Sequence, residues 1–360
     1  MKPFSDAPDQ VLDTQLLAFY IQNVYIHNSQ NNQKRMTKCI AFHSYKGGTG
    51  KTTIASNFAV LLARKGYRVF FLDLDVYAPS LQAYFEMEPA KWINDFLWNN
   101  AKVEEILMDL TPTVLSKNDG NDNGGGSSGS EGKLYVAFCN PKKEEIYKLD
   151  GAGKQDNSKI QLLRRFVLLR EQIISNYDAD YIIIDTSPGI RYWSINALAV
   201  ADTLFLTLKM DNLDIDGTKK MAGDIYSSFS KFGAKSYLVL NRVVGYCTPP
   251  PSSPLSSEST PKSTPNLATS SSQSISKASD SPASTSYNKT ITIQQQHESE
   301  SEVGDLLSKD VGMDIICSIP CYCDIQFSRR EYLTVLKYPD HPFAKRIEKL
   351  AEEKRIKVDS

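Results

Sequence analysis

The chain has no long apolar run and almost no net charge. None of its apolar runs approaches the roughly 18 to 20 residues that span a bilayer. In 360 residues, 41 Lys and Arg against 42 Asp and Glu give a formal net charge of −1. We therefore expect no transmembrane helix, and the overall charge offers no attraction to nucleic acid or to a membrane surface. A nucleic-acid or membrane partner would therefore have to bind a local charged patch.

Cysteine is scarce, and its spacing does not indicate a metal site. Cys321 and Cys323 form a C-x-C pair, which differs from the usual spacing for holding zinc or bridging an iron–sulfur cluster. No secretory signal pattern is present, so we expect reduced thiols and a cytoplasmic location. The six cysteines fall mostly in or beside apolar, strand-like runs: Cys39, Cys139, Cys247, Cys317, Cys321 and Cys323.

What the chain does contain is a glycine-rich segment directly after an apolar run. Residues 46–53 read Lys-Gly-Gly-Thr-Gly-Lys-Thr-Thr, between the β-prone run 39–43 and a helical pattern over 52–64. Gly47, Gly48 and Gly50 let backbone N–H groups turn inward without a Cβ clash, and the following helix adds the positive end of its dipole. A polyphosphate is the expected ligand, and a glycine turn without a ligand is the alternative.

Each polar residue of this loop has an expected role. Lys51 would lie along the β- and γ-phosphates, Thr52 would offer its hydroxyl to Mg²⁺, and Thr53 would hydrogen-bond on the α-phosphate side. Thr49 completes the loop. Phosphoryl transfer to water needs an aligned water with cations and donors around the transferred group, so we expect no His or Cys nucleophile.

The order of the elements predicts the fold class. Near-continuous apolar strands that alternate with amphipathic helices indicate a doubly wound, mostly parallel α/β sheet with helices on both faces. Ligands in such folds bind at the carboxyl ends of the strands. The predicted strands are 38–43, 68–73, 134–139, 181–185, 203–208, 237–243 and 313–319, and the predicted helices are 52–64, 159–176, 216–232 and 341–354.

Acidic residues end two of these strands. Asp73 and Asp75 follow the second strand, and Asp185 follows the run Tyr181 to Ile184, with Gly189 four residues later. Carboxyl ends of parallel strands meet at one edge of a sheet, so these carboxylates should lie beside the phosphate loop. Strand-end aspartates also serve as helix caps, which is the alternative for Asp73.

Together these segments resemble the MinD/ParA family of ATPases. The loop matches the family's deviant Walker A form, K-G-G-x-G-K-[ST]-[ST], and the two acidic strand ends match its switch I and its Walker B with switch II. The resemblance covers residue 36 to about residue 350 once a low-complexity insertion is excluded. It implies ATP and Mg²⁺ as ligands and slow, partner-stimulated hydrolysis of ATP by an ATP-dependent homodimer.

The resemblance also implies a role for individual residues. Lys46 would cross the dimer interface to the phosphates of the other subunit, and Asp75 would position or activate the attacking water. Asp73 would support Mg²⁺ or the loop. Asp185 would hold a Mg²⁺-bound water, and Gly189 would let the backbone respond to the γ-phosphate. The base pocket is expected at Asn241 and Arg242, where an amide can pair with an adenine edge, with Pro320 and Cys321 as weaker candidates.

Composition divides the chain into a domain and three unusual segments. Residues 36–360 are expected to form one ATPase domain, which a Gly/Ser-rich loop at 118–132 and a Ser/Thr/Pro-rich, disordered insertion at 249–300 interrupt. Residues 1–35 form an N-terminal extension. This extension is either not part of the working protein, because Met36 resembles a start, or a docked extra helix, or a membrane-surface anchor.

The family performs several tasks, and the sequence leaves them open. The first expectation is a positioning or partitioning ATPase that acts on chromosomes, a division site or another cell structure, on a DNA, membrane or protein surface. A basic face could bind DNA weakly and bring the protein to the nucleoid. Its residues are Arg329, Arg330, Lys345, Arg346 and Lys349. The tail has few large apolar residues and interleaved acids, which argues against membrane contact. The alternative is an iron–sulfur or metal carrier ATPase of the Mrp type.

The insertion provides a first test. We expect that replacing residues 250–298 by a short Gly/Ser bridge leaves the ATPase rate and the Tm nearly unchanged, because the entropy of loop closure grows only slowly with loop length. Rate measurements and thermal melts of the deletion variant beside the intact chain check this. A large loss of either quantity would show that the segment packs on the domain.

Overall fold

The computed structural model describes residues 37–115, 132–152, 156–231, 233–243, 304–322, 324–325 and 332–358. Several predictions concern residues outside these ranges and stay predictions. They are the N-terminal extension 1–35, the low-complexity loop up to residue 131, the insertion 249–300, and Arg329 with Arg330.

An eight-stranded sheet lies at the centre of the described structure. Its strand order is β3-β4-β2-β5-β1-β6-β7-β8, and every neighbouring pair is parallel except β3 with β4. This architecture confirms the predicted doubly wound α/β class. The strands are β1 (Lys38–His43), β2 (Arg68–Leu74), β3 (Met108–Asp109), β4 (Lys133–Ala137), β5 (Tyr181–Thr186), β6 (Thr203–Lys209), β7 (Lys235–Val243) and β8 (Ile315–Pro320).

The central strands are apolar on both faces because both faces are covered. In β1, Cys39 and Ala41 belong to the hydrophobic core on one side of the sheet, whereas Ile40 and Phe42 belong to the core on the other side. Successive side chains of a strand point to opposite faces, so a strand between two cores needs an apolar residue at every position. This explains the continuous apolar runs of the sequence.

Thirteen α-helices of four or more residues can be assigned within the described ranges, besides two helical residues at 324–325 and the 3₁₀ turn Lys354–Ile356. They are α1 (Lys51–Arg64), α2 (Leu81–Phe85), α3 (Ile93–Leu97), α4 (Val103–Ile106), α5 (Thr111–Leu115), α6 (Lys143–Ala152), α7 (Asp156–Tyr177), α8 (Tyr192–Ala199), α9 (Asn212–Met221), α10 (Ser227–Lys231), α11 (304–311), α12 (Thr334–Lys337) and α13 (Pro342–Ala351). None of them combines the length and hydrophobicity that crossing a bilayer requires.

The four predicted helices correspond to α1, α7, α9 with α10, and α13. A π-helical turn, Ala222–Tyr226, separates α9 from α10, where the pattern predicted one helix over 216–232. Five of the helices that were not predicted have only four or five residues. A segment of that length is too short to display a 3.6-residue period. The two-residue β3 was missed for the same reason.

The last long helix, α13, packs against α1. Phe343, Ile347 and Leu350 of α13 are buried, and the two helices are in contact. Burial of these apolar residues on one side of α13 explains the amphipathic pattern of its sequence. These side chains are therefore used inside the domain and are not available to a membrane surface.

Ion pairs neutralise part of the basic face predicted on α13. Lys345 lies 3.3 Å from Asp340 and 3.8 Å from Glu348. Lys65, at the end of α1, lies 3.4 Å from Glu348 and 3.0 Å from Glu352. The charge that α13 presents is consequently mixed in sign, which weakens the expectation of a DNA-binding face there.

Cys39, Cys139 and Cys317 are free thiols in the part of the chain that the structure describes. Burial raises the pKa of Cys39 and of Cys317 to about 12. Both groups are therefore protonated at neutral pH and poor nucleophiles.

Candidate nucleotide site

The glycine-rich loop joins β1 to α1 in a conformation that only glycine adopts easily. Gly48 and Gly50 have φ values of +72° and +93°. A Cβ at Gly50 would lie 2.2 Å from Nδ2 of Asn241, which itself donates a hydrogen bond of 2.7 Å to the carbonyl of Thr49. Strand β7 therefore holds the loop directly, and a side chain at position 50 would break this contact.

Three predicted residues come together at the start of α1. Lys51 is 5% exposed, and the hydroxyl of Thr52 donates a hydrogen bond of 2.6 Å to Oδ2 of Asp185. The other carboxylate oxygen, Oδ1 of Asp185, is buried and has no hydrogen-bond partner among the described residues. One oxygen is thus anchored to the loop, while the second is available to a further ligand.

The acidic strand ends lie next to one another, and burial dominates their ionisation. Asp73 and Asp185 face each other in register on β2 and β5. Burial raises the pKa of Asp185 to about 6, although Lys51 and Thr52 favour its ionised form. Burial also raises the pKa of Asp73 well above its ordinary value, and the charge of Asp185 raises it further. Asp73 therefore holds a proton readily when no cation is near.

Asp75 links the segments that follow β2 and β5. Its Oδ1 accepts a hydrogen bond of 2.7 Å from the hydroxyl of Ser187 and one of 3.2 Å from the backbone N–H of Ala78. Its own N–H donates to Oδ1 of Asp73 at 3.1 Å. Ser187 was not among the predicted site residues, because only pairing with Asp75 in three dimensions distinguishes it from other strand-end serines.

The segment after β5 also rests on the phosphate loop. Gly189 has φ +81°, and its N–H donates to the carbonyl of Ser44 at 2.8 Å. A Cβ on Gly47 would lie 3.9 Å from Cγ of Pro188. The indole N–H of Trp193 donates to the carbonyl of Leu74, 3.0 Å away. The loop and both acidic segments therefore form one connected unit.

The residues present fit a magnesium ion that arrives with a nucleotide. Within the part of the chain that the structure describes, no three His, Cys, Asp or Glu side chains could hold a metal ion by themselves. Mg²⁺ usually takes one or two carboxylates together with substrate phosphates and waters. The hydroxyl of Thr52 and the free oxygen of Asp185 suit that arrangement, whereas a resident metal would need more protein ligands.

Lys46, the first residue of the loop motif, is partly exposed and pairs with Asp211. The Nζ of Lys46 lies 3.6 Å from Oδ1 of Asp211, with side-chain exposures of 39% and 54%. Asp211 also caps α9, since its carboxylate accepts from the N–H of Asp214. Exposed ion pairs contribute at most about 1 kcal/mol. Another anion can therefore replace Asp211 beside Lys46 at little cost in free energy.

A third lysine, Lys209, stands beside the loop and was missed. A Cβ on Gly48 would lie 3.7 Å from its Nζ, and Lys209 pairs with Asn241 across β6 and β7. Its position as the last residue of β6 was available from the sequence. A strand-end lysine alone, however, does not indicate that its flexible side chain folds back over the loop.

The predicted base pocket is a cleft of about 200 Å³ between the loop, β7 and β8. It contains Asn241, Arg242 and Pro320 together with Gly50, Thr53, Tyr84, Tyr322 and Tyr332. The amide of Asn241 is engaged at both ends, because Nδ2 donates to Thr49 and Oδ1 accepts from the N–H of Arg242 at 2.9 Å. It holds the loop here, and its role in reading a base stays a prediction. The three tyrosines of the cleft were not among the residues predicted from the sequence.

His43, the last residue of β1, is buried behind the loop. The hydroxyl of Thr186 donates to the carbonyl of Phe42, so the 2.7 Å contact between Thr186 and Nδ1 of His43 has the ring nitrogen as donor. Burial and the charge of Lys51 lower the pKa of His43 to about 3. The ring is therefore neutral at physiological pH, and it is fully buried.

Comparison with known proteins identifies the family. The profile of the CobQ/CobB/MinD/ParA nucleotide binding domain matches residues 40–247, the region that holds the loop and both acidic strand ends. The chain belongs to this family.

Two curated relatives show how far the likeness extends. The chain is 30% identical to the flagellum site-determining protein YlxH of Helicobacter pylori over 191 residues, which are 53% of this chain and 54% of that protein. A stretch of 49 residues, 14% of each chain, is 51% identical to the iron-sulfur cluster carrier protein of Aquifex aeolicus. The chain spans about half the length of the curated relatives it matches.

A solved MinD structure has the same fold. The septum site-determining protein MinD of Pyrococcus horikoshii, solved with Mg-ADP, superimposes with a TM-score of 0.55 at 18% identity, over 88% of this chain and 95% of that one. At this identity the likeness concerns the fold alone. It places this chain's sheet and helices within the MinD/ParA fold.

The ionisation of Asp185 leads to a test of stability. Its folded pKa of about 6 exceeds the ordinary value of 3.8, so ionising the buried carboxyl costs stability, and the stability present at low pH is lost as the pH rises through 6. Without nucleotide and in EDTA, we expect Asp185→Asn to raise the Tm at pH 8 by roughly 3 to 8 °C. The gain should shrink towards pH 5. An equal change at both pH values would contradict the assigned ionisation.

Proposed function

We propose that this protein is a Mg²⁺-dependent ATPase that works as a dimeric switch of the MinD/ParA type. One observation carries the proposal. The buried lysine, the loop threonine and a carboxylate with one free oxygen, Lys51, Thr52 and Asp185, meet at the N-terminus of α1. Cation, hydroxyl and carboxylate at the positive end of a helix are the groups that bind a metal–triphosphate complex.

The chain's own groups would divide the work of hydrolysis. Lys51 and the loop N–H groups offset the charge of the phosphates, and Asp75 orients the attacking water. Thr52 and Asp185 would hold magnesium, which neutralises charge on the phosphates when it is bound. Asp73, close to Asp185, would support that site. Gly189, whose N–H donates to the carbonyl of Ser44, would let the segment after β5 respond to the γ-phosphate.

The dimer would depend on Lys46. In the single chain its ammonium group pairs with Asp211 on the surface, while Lys51 is buried beside Asp185. This difference supports a role for Lys51 within its own subunit and a role for Lys46 on the phosphates of a second copy. Because the exposed pair with Asp211 is weak, a facing triphosphate would displace it.

The cellular task would be the positioning of DNA or of another cell structure from a cytoplasmic location. The name of one relative supports this, since YlxH of Helicobacter pylori is described as a flagellum site-determining protein. Partners would be a second copy of the chain and a protein that stimulates hydrolysis, with non-specific DNA as the surface. Membrane contact is a weaker proposal, because the apolar residues of α13 pack inside the domain.

An iron–sulfur carrier of the Mrp type is the second candidate. The local identity to the Aquifex aeolicus carrier protein favours it, whereas the C-x-C spacing of Cys321 and Cys323 argues against it. Anaerobic reconstitution with iron and sulfide, followed by an absorbance spectrum, discriminates between the two. A stoichiometric cluster that disappears in a Cys321→Ser variant would favour the carrier.

Separate substitutions of the two loop lysines test the assignment of their roles. Lys51→Ala should abolish nucleotide binding, because it removes the buried cation of the site. Lys46→Ala should bind ATP like the wild type but fail to dimerise, because only the partner's phosphates would lose a contact. Light scattering with a non-hydrolysable ATP analogue measures the dimer, and Lys65→Ala is a matched control for loss of a lysine on the surface. Normal dimerisation of the Lys46 variant would refute its action in trans.

The two carboxylates are expected to fail in different ways. Asp75→Ala should bind Mg-ATP but hydrolyse it about 10² to 10⁴ times more slowly, the usual cost of losing a group that acts on the water. Asp185→Asn should instead weaken magnesium-dependent binding, since it removes charge beside Thr52. Nucleotide affinity and single-turnover hydrolysis, measured on both variants, separate these effects. Wild-type turnover in the Asp75 variant would exclude the proposed role.

A further inference from the structure

A hydroxyl pair lies in the cleft beside the phosphate loop. Thr53, the last residue of the loop motif, has its hydroxyl oxygen 2.7 Å from the phenol oxygen of Tyr84, which belongs to α2. Both residues line the cleft that holds the predicted base pocket. Thr53 is the residue expected to hydrogen-bond on the α-phosphate side, so Tyr84 contacts the hydroxyl that is expected to bind the nucleotide.

The ring of Tyr84 is held in place from the other side. It stacks on the ring of Tyr332, with centroids 4.6 Å apart and planes 30° apart. The buried amide of Asn57 fixes Tyr332, since its Nδ2 donates to the carbonyls of Tyr332 and Thr53, both at 2.8 Å. Its Oδ1 accepts from the N–H of Val335. Thr53, Asn57, Tyr332 and Tyr84 therefore form a closed ring of contacts.

The Thr53–Tyr84 pair has one hydroxyl proton left for a further hydrogen bond. Two hydroxyls carry two protons, and the bond between them uses one, so one O–H stays available to a further acceptor in the cleft. Burial raises the pKa of Tyr84 to about 12, which keeps the phenol protonated. When the phenol donates to Thr53, the threonine O–H is free to donate onward, and a chain of hydrogen bonds polarises each donor.

We propose that Tyr84 is a positioning residue of the nucleotide site, which fixes and polarises the hydroxyl of Thr53 so that this hydroxyl donates a hydrogen bond to the α-phosphate of a bound nucleoside di- or triphosphate. This inference rests on the proposed function. Because α2 follows the Asp75 segment in the chain, the same contact ties that segment to the nucleotide. The α-phosphate is common to ADP and ATP, so both ligands gain equally.

A double-mutant cycle on Thr53 and Tyr84 tests the proposal. Calorimetry would give the Kd of Mg-ADP for the wild type, Tyr84→Phe, Thr53→Val and the double variant. Tyr84→Phe keeps the stacked ring and should weaken binding about 3- to 10-fold, the worth of one hydrogen bond. In the Thr53→Val background the same change should have no further effect. For ATP hydrolysis, KM should rise by a similar factor in Tyr84→Phe while kcat stays unchanged.

Tyr135→Phe is the matched control, because it removes a phenol hydroxyl from another stacked pair, Tyr135 on Phe70, outside the residues that line the cleft, and it should bind Mg-ADP like the wild type. Additive effects in the cycle would mean that Tyr84 contacts the nucleotide directly. If Tyr84→Phe bound Mg-ADP as tightly as the wild type or more tightly, the phenol hydroxyl would make no contribution to binding. Either result overturns the inference. Failure of the wild type to bind Mg-ADP would instead reject the proposed function.

Discussion

Two carboxylates on neighbouring strands, Asp73 and Asp185, lie side by side with 1% exposure each, and the cost of their burial shapes the site. A buried carboxylate loses its hydration, and a second one beside it adds repulsion. Lys51 and the hydroxyl of Thr52 offset only part of this cost for Asp185, since its pKa still rises to about 6. A cation brought in with a nucleotide would remove the remainder.

The same crowding explains why the segments around the site depend on each other. Oδ1 of Asp75 is shared by Ser187 and Ala78, and the N–H of Gly189 is used by the loop carbonyl of Ser44. A ligand that draws one of these groups towards itself must break or replace a contact of another segment. Under the proposed function, this shared hydrogen bonding would couple the phosphate loop to the two acidic segments.

Most of what was predicted concerns residues whose role is set by their position along the chain. The loop glycines, Lys51, Thr52 and the strand-end aspartates end up within one site, as expected, because parallel strands bring their carboxyl ends to one edge. Other contributions came from side chains that are ordinary in their local sequence. Ser187, Lys209, Asp211 and Tyr84 acquire their contacts from residues between 31 and 165 positions away. Asn241 was predicted as a site residue, but both ends of its amide are used to fix the loop and its neighbour.

The sequence by itself determined the α/β class, the phosphate loop and the acidic strand ends, since each is written in a short segment whose apolar pattern, glycines or carboxylates have a local physical meaning. Only the tertiary structure decided which groups are paired and which are left open. It paired Lys46 with Asp211 and left one oxygen of Asp185 without a partner among the described residues. It also built the ring of contacts around Thr53. These outcomes depend on distances between elements far apart in the chain, and hydrogen bonds and desolvation change over fractions of an ångström that no local pattern encodes.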